Sequence, residues 1–263
     1  MTDASGLREK YLANNPIAVA APADQAEFRR ELERVAPLLP HREPLRVLDI
    51  GCGTGRVSIR WCESGARVTG VDMDPDFAAR ARERLREHAA RFRVVVGDAT
   101  RLPLAPGGFD VVTLLALLEH VPDWRRAVTE AARMVAPGGV FMLTTTNRRH
   151  PFQGEVRGFP FYPWLPSRLR DRVLSWIMEH RRDLVNYTDW PAVHWFDGGE
   201  IRDLLVSLGL EPHSRFDLLR PESLTGARAL GRWLLPSGPV SGLGRFAHSF
   251  LSRGVVFYAR RPA

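Results

Sequence analysis

Leu48-Asp-Ile-Gly-Cys-Gly-Thr-Gly55 is the stretch that decides the fold of this chain. It begins inside a short apolar run, Arg46-Val-Leu-Asp-Ile50, and a helical pattern follows it, so the loop lies where a buried strand passes into a helix. Its glycines let the backbone turn sharply and approach a ligand, because no Cβ stands in the way. The free N–H groups of the following helix favour an anionic group on that ligand. The stretch therefore predicts a binding loop at the end of the first strand.

Later runs repeat the strand pattern and alternate with helical patterns. The strand-like runs are Val68-Thr-Gly-Val71, Phe92-Arg-Val-Val-Val96, Phe109-Asp-Val-Val-Thr113, Val140-Phe-Met-Leu-Thr144, a segment near 211–218 and Val255-Val-Phe-Tyr258. Helical patterns lie at about 55–64, 75–90, 123–136 and 198–208. Strands that alternate with helices in this way form βαβ units. We predict an α/β fold: a doubly wound, mostly parallel seven-stranded sheet with helices on both faces.

Composition excludes several classes of protein. The 263 residues are 44% hydrophobic and 25% charged, which is ordinary for a globular domain and excludes a disordered or collagen-like chain. The net charge is +7, and the basic residues are almost all arginine, because Lys10 is the only lysine. The arginines are spread along the chain, so a nucleic-acid partner is not favoured, although such a surface attracts anionic lipid or polymer. Cys52 and Cys62 are too few for a disulfide framework or a four-ligand zinc site.

The sequence predicts one domain with two added segments, an N-terminal helical arm and an insertion. Asp24 is expected to cap a helix that runs to about Leu39. The sequence starts without the apolar region of a signal peptide, and its longest apolar run, 111–118, is far short of the roughly 18–20 residues that span a bilayer. We therefore expect a cytoplasmic protein. The predicted organisation is a single domain over 1–263, with a helical arm at 1–40, a core at about 44–147 and 198–263 and an insertion at about 148–197.

Three carboxylates end successive predicted strands. Asp49 precedes the glycine loop and suits a cationic amine, and Asp72, about 20 residues beyond the loop, suits two ribose hydroxyls. Asp98 suits an exocyclic amine such as that of adenine. Asp72 and Asp98 could instead only cap the following helices, but three acids beside one glycine loop favour an adenosyl ligand. In a dinucleotide-binding G-x-G-x-x-G loop counted from Gly51, the third glycine would be Arg56, so an NAD-dependent oxidoreductase is disfavoured.

In this order the motifs resemble those of the class I S-adenosylmethionine-dependent methyltransferases. The resemblance covers about residues 44–147 and rests on LDIGCGTG (48–55), GVD (70–72), GDA (97–99), FDVV (109–112) and APGG (136–139). Leu118-Glu-His-Val-Pro-Asp123 followed by Thr146-Asn-Arg148 is similar to a narrower group, the ubiquinone-biosynthesis O-methyltransferases and their relatives that act on small or lipid-like molecules. The resemblance implies a Rossmann-like methyltransferase fold and S-adenosyl-L-methionine as cofactor.

The resemblance also implies a role for each residue at this rim. Gly51 and Gly53 contact the methionine end of the cofactor, where Asp49 serves the amino group. Thr54 and Cys52 belong to the same loop, and we expect no redox role for Cys52. The remaining implied contacts are Asp72 with the ribose, Asp98 and Ala99 with the adenine edge, Met73 with the adenine face and Leu115 with the transferable methyl group.

The resemblance raises and then weakens the case for a metal site. Some ubiquinone O-methyltransferases carry Glu-x-x-Glu-His near this point, a motif proposed to bind a divalent metal. In this sequence the first position of that motif is Ala116. Glu119 and His120 alone are a poor ligand set, so we expect no metal.

Histidine is the side chain best suited to take a proton from a phenol or alcohol near neutral pH. His120, on the loop after the fourth strand, is the first candidate, and His194, between apolar residues of the insertion, is the second. His150 and Tyr187 follow. Alternatively, His120 orients its loop, His194 packs among aromatic rings, and transfer proceeds by proximity with no base at all.

The insertion is rich in aromatic residues. These residues are suited to a lid over a flat or hydrophobic acceptor, or they simply form the core of an enlarged domain. They are Phe152, Phe159, Phe161, Tyr162, Trp164, Trp176, Tyr187, Trp190, Trp195 and Phe196. The segments 168–181 and 224–250 place arginines beside apolar residues, which fits contact with a membrane surface. A solvated face opposite a buried face explains them equally well.

These observations together favour one function over its rivals. We expect methyl transfer from S-adenosylmethionine to an oxygen of a small, hydrophobic or aromatic acceptor by in-line displacement. N- or C-methylation of a small molecule or lipid is the nearest alternative, because the cofactor half is indifferent to the acceptor atom. An RNA methyltransferase is disfavoured, since the chain has no concentrated basic arm and no Asn/Asp-Pro-Pro-aromatic tetrapeptide. A non-catalytic nucleotide-binding protein remains an alternative. The sequence does not indicate an oligomeric state.

Overall fold

A computed structural model describes residues 22–152, 155–181, 184–185, 192–219 and 241–263. The strands are β1 (Arg46–Ile50), β2 (Arg67–Asp72), β3 (Phe92–Val96), β4 (Phe109–Leu115), β5 (Val135–Thr146), β6 (Glu211–Ser214) and β7 (Gly254–Arg260). The α-helices of the described residues are α1 (Pro22–Val35), α2 (Arg56–Glu63), α3 (Pro75–Arg84), α4 (Trp124–Met134), α5 (Ser167–His180), α6 (Gly198–Ser207) and α7 (Ser241–Leu251). Short 3₁₀ helices follow α1, α3 and β4 and precede α5.

The strands form one seven-stranded sheet in the order β3-β2-β1-β4-β5-β7-β6. Neighbouring strands from β3 to β5 are parallel, and β7 is antiparallel to both of its neighbours. The predicted doubly wound, mostly parallel sheet is confirmed. Because β1 to β4 run in the same direction, their carboxyl ends meet at one edge of the sheet, and the strand order reverses between β1 and β4, which is where such sheets bind ligands.

Two hydrophobic cores cover the two faces of the sheet. Alternate strand residues pack with α4 and α6 on one face, as Leu48 and Val112 do. The intervening residues, such as Val47 and Val111, pack with α1, α2 and α3 on the other. This double burial explains why the strands read as continuous apolar runs. Aspartates whose carboxylates accept backbone N–H groups begin three of the helices, namely Asp74 for α3, Asp123 for α4 and Asp197 for α6.

Some predicted boundaries differ from the structure. Asp24 lies within α1, so the prediction that it caps this helix is wrong. The APGG segment does not precede β5 as predicted but lies within it: the register passes from Phe109 opposite Val135 to Val111 opposite Val140, so the intervening residues bulge out of the pairing. Every helix within the described ranges is too short or too polar to span a bilayer.

Candidate active site

The glycine loop turns at the carboxyl end of β1 and is tied to β2. Gly51 and Cys52 donate backbone hydrogen bonds to the carbonyl of Val71, with N···O distances of 2.8 and 3.1 Å. Gly51 and Gly55 have φ angles of +71° and +80°, in the left-handed region that favours glycine. A Cβ on Gly55 would also lie 2.5 Å from Cδ1 of Leu85. The loop therefore needs glycine both for its backbone conformation and for its packing on α3.

Asp72 stands beside open space at Gly53. A Cβ on Gly53 would meet no atom within 4 Å, and its N–H donates to Oδ2 of Asp72 at 2.8 Å. Oδ1 of the same carboxylate accepts the N–H of Asp74 at 2.9 Å. Burial raises the pKa of Asp72, and the hydrogen bonds from Asp74 and Gly53 lower it in part. Each oxygen keeps lone-pair capacity for a further donor, such as a ribose hydroxyl.

Asp49 lies inside β1, just before the glycine loop. It is only 3% exposed, and its oxygens accept the hydroxyls of Ser58 at 2.6 Å and Thr113 at 2.7 Å. Burial raises the pKa of Asp49, the two hydroxyls lower it in part, and the charge of Asp72 raises it further. These contacts are internal, so a role toward the cofactor amine stays a prediction. Sequence reasoning missed Ser58 and Thr113, although Thr113 is the register partner of Asp49 in the β1–β4 pairing.

The rest of the predicted cofactor set follows the carboxyl ends of the same strands. Met73 is 66% exposed directly after β2. Asp98 is exposed after β3, and its Oδ1 accepts the N–H of Thr100 at 2.8 Å. No helix begins at Asp98, and Asp74 rather than Asp72 caps α3, so helix capping does not account for the two acids. The half-buried members of the set are Thr54, Ala99 and Leu115.

Both cysteines are buried and held as thiols. Cys52 packs against β2, since a Cβ on Gly70 would lie 2.8 Å from its Sγ. Burial raises the pKa of the Cys52 thiol, and the nearby charges of Asp49 and Asp72 raise it further. Burial also raises the pKa of Cys62, to about 11. A thiol whose pKa is this high is mostly protonated near neutral pH and is therefore a poor nucleophile.

Backbone hydrogen bonds join the segments that carry the two predicted catalytic histidines. The N–H groups of Val193 and His194 donate to the carbonyl of Glu119 at 2.7 and 3.2 Å. Nε2 of His194 lies 3.2 Å from the carbonyl oxygen of Pro122. A carbonyl only accepts, so Nε2 carries the proton and Nδ1 is the basic nitrogen of the neutral ring. Nδ1 of His120 is buried and has no hydrogen-bond partner among the described residues.

The other candidates of this region lie elsewhere. Nδ1 of His150 is 3.0 Å from the carbonyl of Phe250, so this ring is bound to α7, and Tyr187 lies outside the described residues. Glu119 is turned into the core, where it accepts the hydroxyl of Thr145 at 2.7 Å. Burial raises the pKa of Glu119, although the charge of the neighbouring histidine and the Thr145 hydroxyl lower it in part. Within the described ranges, no cluster of three or more His, Cys, Asp or Glu could hold a metal.

The Thr-Asn-Arg segment after β5 has a structural role that sequence reasoning missed. Nδ2 of Asn147 donates to the carbonyls of Ser249 and Ser252, both at 2.7 Å. Its Oδ1 accepts the N–H of Arg149 at 2.9 Å, and Nε of Arg149 donates to Asp197 at 2.9 Å. The segment therefore joins the end of β5 to α7 and to the start of α6.

The aromatic residues of the insertion divide into a core and a surface. The buried cluster consists of Val156, Tyr162, Ile177, Val185, Ala192 and Trp195. The ring of Phe161 lies 6.0 Å from that of Phe152 and 5.1 Å from that of Trp164, measured between centroids. These three residues are 46%, 65% and 51% exposed, in that order. Part of the aromatic set is thus core, and another part is a surface that faces solvent.

Comparisons with known proteins agree with this geometry. Residues 48–143 match the family described as Methyltransferase domain. The chain is 42% identical over 105 residues to the ubiquinone biosynthesis O-methyltransferase of Pseudomonas aeruginosa (strain UCBPP-PA14), an alignment that covers 39% of this chain and 45% of that protein. The chain thus spans less than half the length of the curated relatives it matches.

Solved structures establish the fold over most of the chain. The S-adenosylmethionine-dependent methyltransferase from Mesorhizobium loti superposes with a TM-score of 0.56 at 22% identity, covering 88% of this chain and 97% of that one. The cyclase SpnF superposes with a TM-score of 0.54 at 18% identity, covering 91% and 82%. The fold is therefore the Rossmann-like fold that these solved structures share, and residues 48–143 match the Methyltransferase domain family.

Proposed function

We propose that this chain, whose residues 48–143 form a methyltransferase domain, transfers a methyl group from S-adenosylmethionine to an oxygen of a small, hydrophobic or aromatic acceptor. The observation that carries the proposal is the convergence of the glycine loop, Asp72 and Asp98 at the carboxyl edge of one parallel sheet. Oxygen is the proposed acceptor atom because the matched curated relative is named an O-methyltransferase.

The residues at this edge fit the cofactor. The open space at Gly53 admits a ligand, and the adjacent carboxylate of Asp72 accepts ribose hydroxyls. Asp98 is exposed and accepts from the adenine amine, while the exposed side chain of Met73 covers the adenine face. When bound, S-adenosylmethionine supplies a sulfonium methyl group that is already activated for displacement.

The task of the protein is then alignment, exclusion of water and removal of one proton. His120 follows β4 and has a Nδ1 that no described residue occupies, so it is the first candidate to take the acceptor proton. His194 is the second, because its Nδ1 is the basic nitrogen and its segment is hydrogen-bonded to the His120 loop at Glu119. The hydrogen bond that Nε2 of His194 donates to the carbonyl of Pro122 fixes the orientation of the ring.

The proposal includes a cytoplasmic protein that contacts an anionic membrane surface. The exposed ring of Phe161 is adjacent to the exposed rings of Phe152 and Trp164. The segment 148–181 around them contains seven arginines and three acidic residues. Exposed aromatic groups beside arginines suit the boundary between water and an anionic leaflet, where a hydrophobic acceptor would also be found.

A labelled-methyl transfer assay tests the proposed function. The protein is incubated with methyl-labelled S-adenosylmethionine and a panel of catechols, phenols, anilines and RNA, and the products are located by mass spectrometry and NMR. We expect a methyl ether on an aromatic or alcohol oxygen. Label on nitrogen or carbon would correct the acceptor atom, and label in RNA would overturn the small-molecule class. Because a cyclase shares this fold, cofactor binding without any transfer would favour a different reaction or a non-catalytic role.

A further inference from the structure

A cavity of about 330 Å³ lies between α1, α2 and the sheet. Its walls are mostly apolar and include Phe28, Leu32, Val57, Met142 and Val256. One end reaches the carboxyl edge of the sheet, because Leu115 and Thr144 line it and the backbone N–H of Ala116 is bonded to Thr144 beside them. Thr113, which binds the buried Asp49, also lines the cavity. The cavity thus adjoins the cofactor loop on the side of β4 and β5.

The cavity and the proposed adenosyl site are formed by largely different residues. Gly53, Asp72 and Asp98, which form the proposed adenosyl site, do not line the cavity. Leu115 is the one member of the predicted cofactor set among its lining residues, and it is the member expected near the transferable methyl group. A molecule in the cavity would therefore meet the cofactor at the methyl group.

Three residues that line this cavity each carry a buried side-chain N–H donor without a partner among the described residues. The donors are Nε1 of Trp61, Nε of Arg60 and Nε of Arg215. Trp61 is only 1% exposed, and its ring packs edge-on against Phe28 at 5.1 Å. Buried donors are nearly always satisfied in native proteins, since leaving them unpaired is costly. Three unpaired donors on the residues of one cavity indicate an occupant that brings acceptor atoms.

The acidic residues bonded to these arginines do not supply those acceptors. Glu31 already accepts from Arg34 at 2.5 Å, from the hydroxyl of Tyr258 and from Nη2 of Arg215. Burial tends to raise the pKa of Glu31, but these hydrogen bonds and the arginine charges lower it overall, so it is a carboxylate held by its own partners. Glu63 occupies only Nη1 of Arg60, at 2.8 Å.

We propose that the cavity binds the methyl acceptor and that this acceptor carries a carboxylate, which receives the N–H groups of Trp61 and of Arg60 or Arg215. Apolar walls hold the ring of the acceptor, and the oxygen to be methylated lies at the end lined by Leu115 and Thr144. Charge-assisted hydrogen bonds from arginine and indole are strong and directional, so they select an anionic oxygen group over a neutral one. This inference rests on the proposed function and names its substrate class, an aromatic carboxylate.

The test is calorimetric and needs no turnover. The full chain saturated with S-adenosylhomocysteine is titrated with 3,4-dihydroxybenzoate, with its methyl ester and with catechol. We expect the carboxylate to bind about tenfold more tightly than the two neutral probes. Trp61→Phe keeps a ring against Phe28 and removes the N–H, and Arg215→Gln removes a charge. Each variant is expected to bind the carboxylate about tenfold more weakly than the original protein and to bind catechol with the same affinity.

Trp164→Phe is the matched control, because this exposed indole donates to the carbonyl of Arg148 and does not line the cavity. Circular dichroism of each variant establishes that it is folded. Equal affinity for the carboxylate and the neutral probes, or unchanged binding by folded Trp61→Phe and Arg215→Gln, would overturn the inference. If 3,4-dihydroxybenzoate displaced S-adenosylhomocysteine, the N–H donors of the cavity would belong to the cofactor site, and the inference would be overturned as well. Failure of S-adenosylhomocysteine to bind at all would instead contradict the proposed function.

Discussion

The edge of the sheet that faces the cofactor and the region expected to face the acceptor are built from contacts of different range. At the first, Asp72 accepts from Gly53, 19 residues away in the chain, and Asp49 accepts from Thr113, 64 residues away but on the neighbouring strand. In the second, Asn147 reaches Ser249, 102 residues away in the chain. The cofactor edge thus depends on short motifs at strand ends, whereas the acceptor region depends on segments that only the completed fold brings together.

This difference fits the extent of the sequence matches, which include the cofactor edge and end before most of the acceptor region. The match to curated relatives covers only 39% of this chain, and the family match ends at residue 143. The cavity and the aromatic surface use residues from both sides of that boundary, such as Trp61, Phe161 and Arg215. We infer that variants of the two regions should have separable effects.

Asp72→Ala should produce the largest effect, which is a loss of cofactor binding. Two hydrogen bonds from ribose hydroxyls to a carboxylate are worth about 1.5–3 kcal/mol each, so the affinity for S-adenosylmethionine should fall by about 1,000-fold. Calorimetry measures the change, with the exposed Asp76→Ala on α3 as the matched control. An affinity within tenfold of the original would remove this acid from the site.

His120→Ala should leave cofactor affinity within about twofold and slow methyl transfer by about 100-fold, since general bases contribute about 10² or more. The measurement is the rate of transfer to the acceptor that the labelled-methyl panel identifies, across a range of pH. His194→Ala is the paired variant. If His194→Ala alone causes the large loss, the base is on the insertion; if neither does, alignment suffices without a base.

Asn147→Ala should separate stability from cofactor binding. It leaves the carbonyls of Ser249 and Ser252 without a donor, which should cost about 2 kcal/mol of unfolding free energy in denaturant titrations. Ser249→Ala is the control, because it keeps the carbonyl and removes a hydroxyl that donates to the carbonyl of Phe246 and accepts from Nη1 of Arg149. Cofactor affinity of the folded variant should change by less than about twofold. A large loss of that affinity would show that the two regions are coupled.

Cofactor affinity should fall in acid at a higher pH than an ordinary aspartate would produce. Burial raises the pKa of Asp72 above 3.8, and a protonated carboxyl accepts ribose hydroxyls poorly. Affinity is therefore full above the raised pKa and is lost as pH falls through it, by up to about tenfold per pH unit. The check is calorimetry from pH 7 downward, with Asp72→Asn as the variant that should lose this dependence. An unchanged pH profile in the Asn variant would assign the loss to another group.

Replacing Phe161 and Trp164 together by serine should have the smallest effect on the purified protein. Cofactor affinity should not change, because the recorded contacts of these side chains are with each other, Phe152 and Arg148. Flotation with vesicles rich in phosphatidylserine should fall by about threefold or more, since two exposed rings are lost. Vesicles of neutral lipid are the control. Equal flotation of both proteins would argue against the membrane contact.

Most of the cofactor edge could be predicted from the sequence, for a physical reason. Buried parallel strands read as apolar runs, and glycine or aspartate at their ends marks the edge where a ligand binds, so Gly53 and Asp72 were found. Ser58 and Thr113 were missed, because a hydroxyl that satisfies a buried acid leaves no pattern along the chain.

The acceptor region was less predictable because its parts are distant in sequence. The roles of Asn147 and Trp61 depend on partners that no local periodicity reveals. The boundary errors have local causes. Asp24 fits a capping position by residue type alone, and the bulge at the APGG segment is a property of the pairing between β4 and β5.

A crystal structure of the protein with S-adenosylhomocysteine tests the central claim most directly. We predict the adenosyl group across the carboxyl ends of β1 to β3, with the ribose hydroxyl oxygens within hydrogen-bond distance of the Asp72 carboxylate and the adenine between Met73 and Asp98. A ligand bound elsewhere, with Asp72 still contacting only the backbone of Gly53 and Asp74, would contradict it.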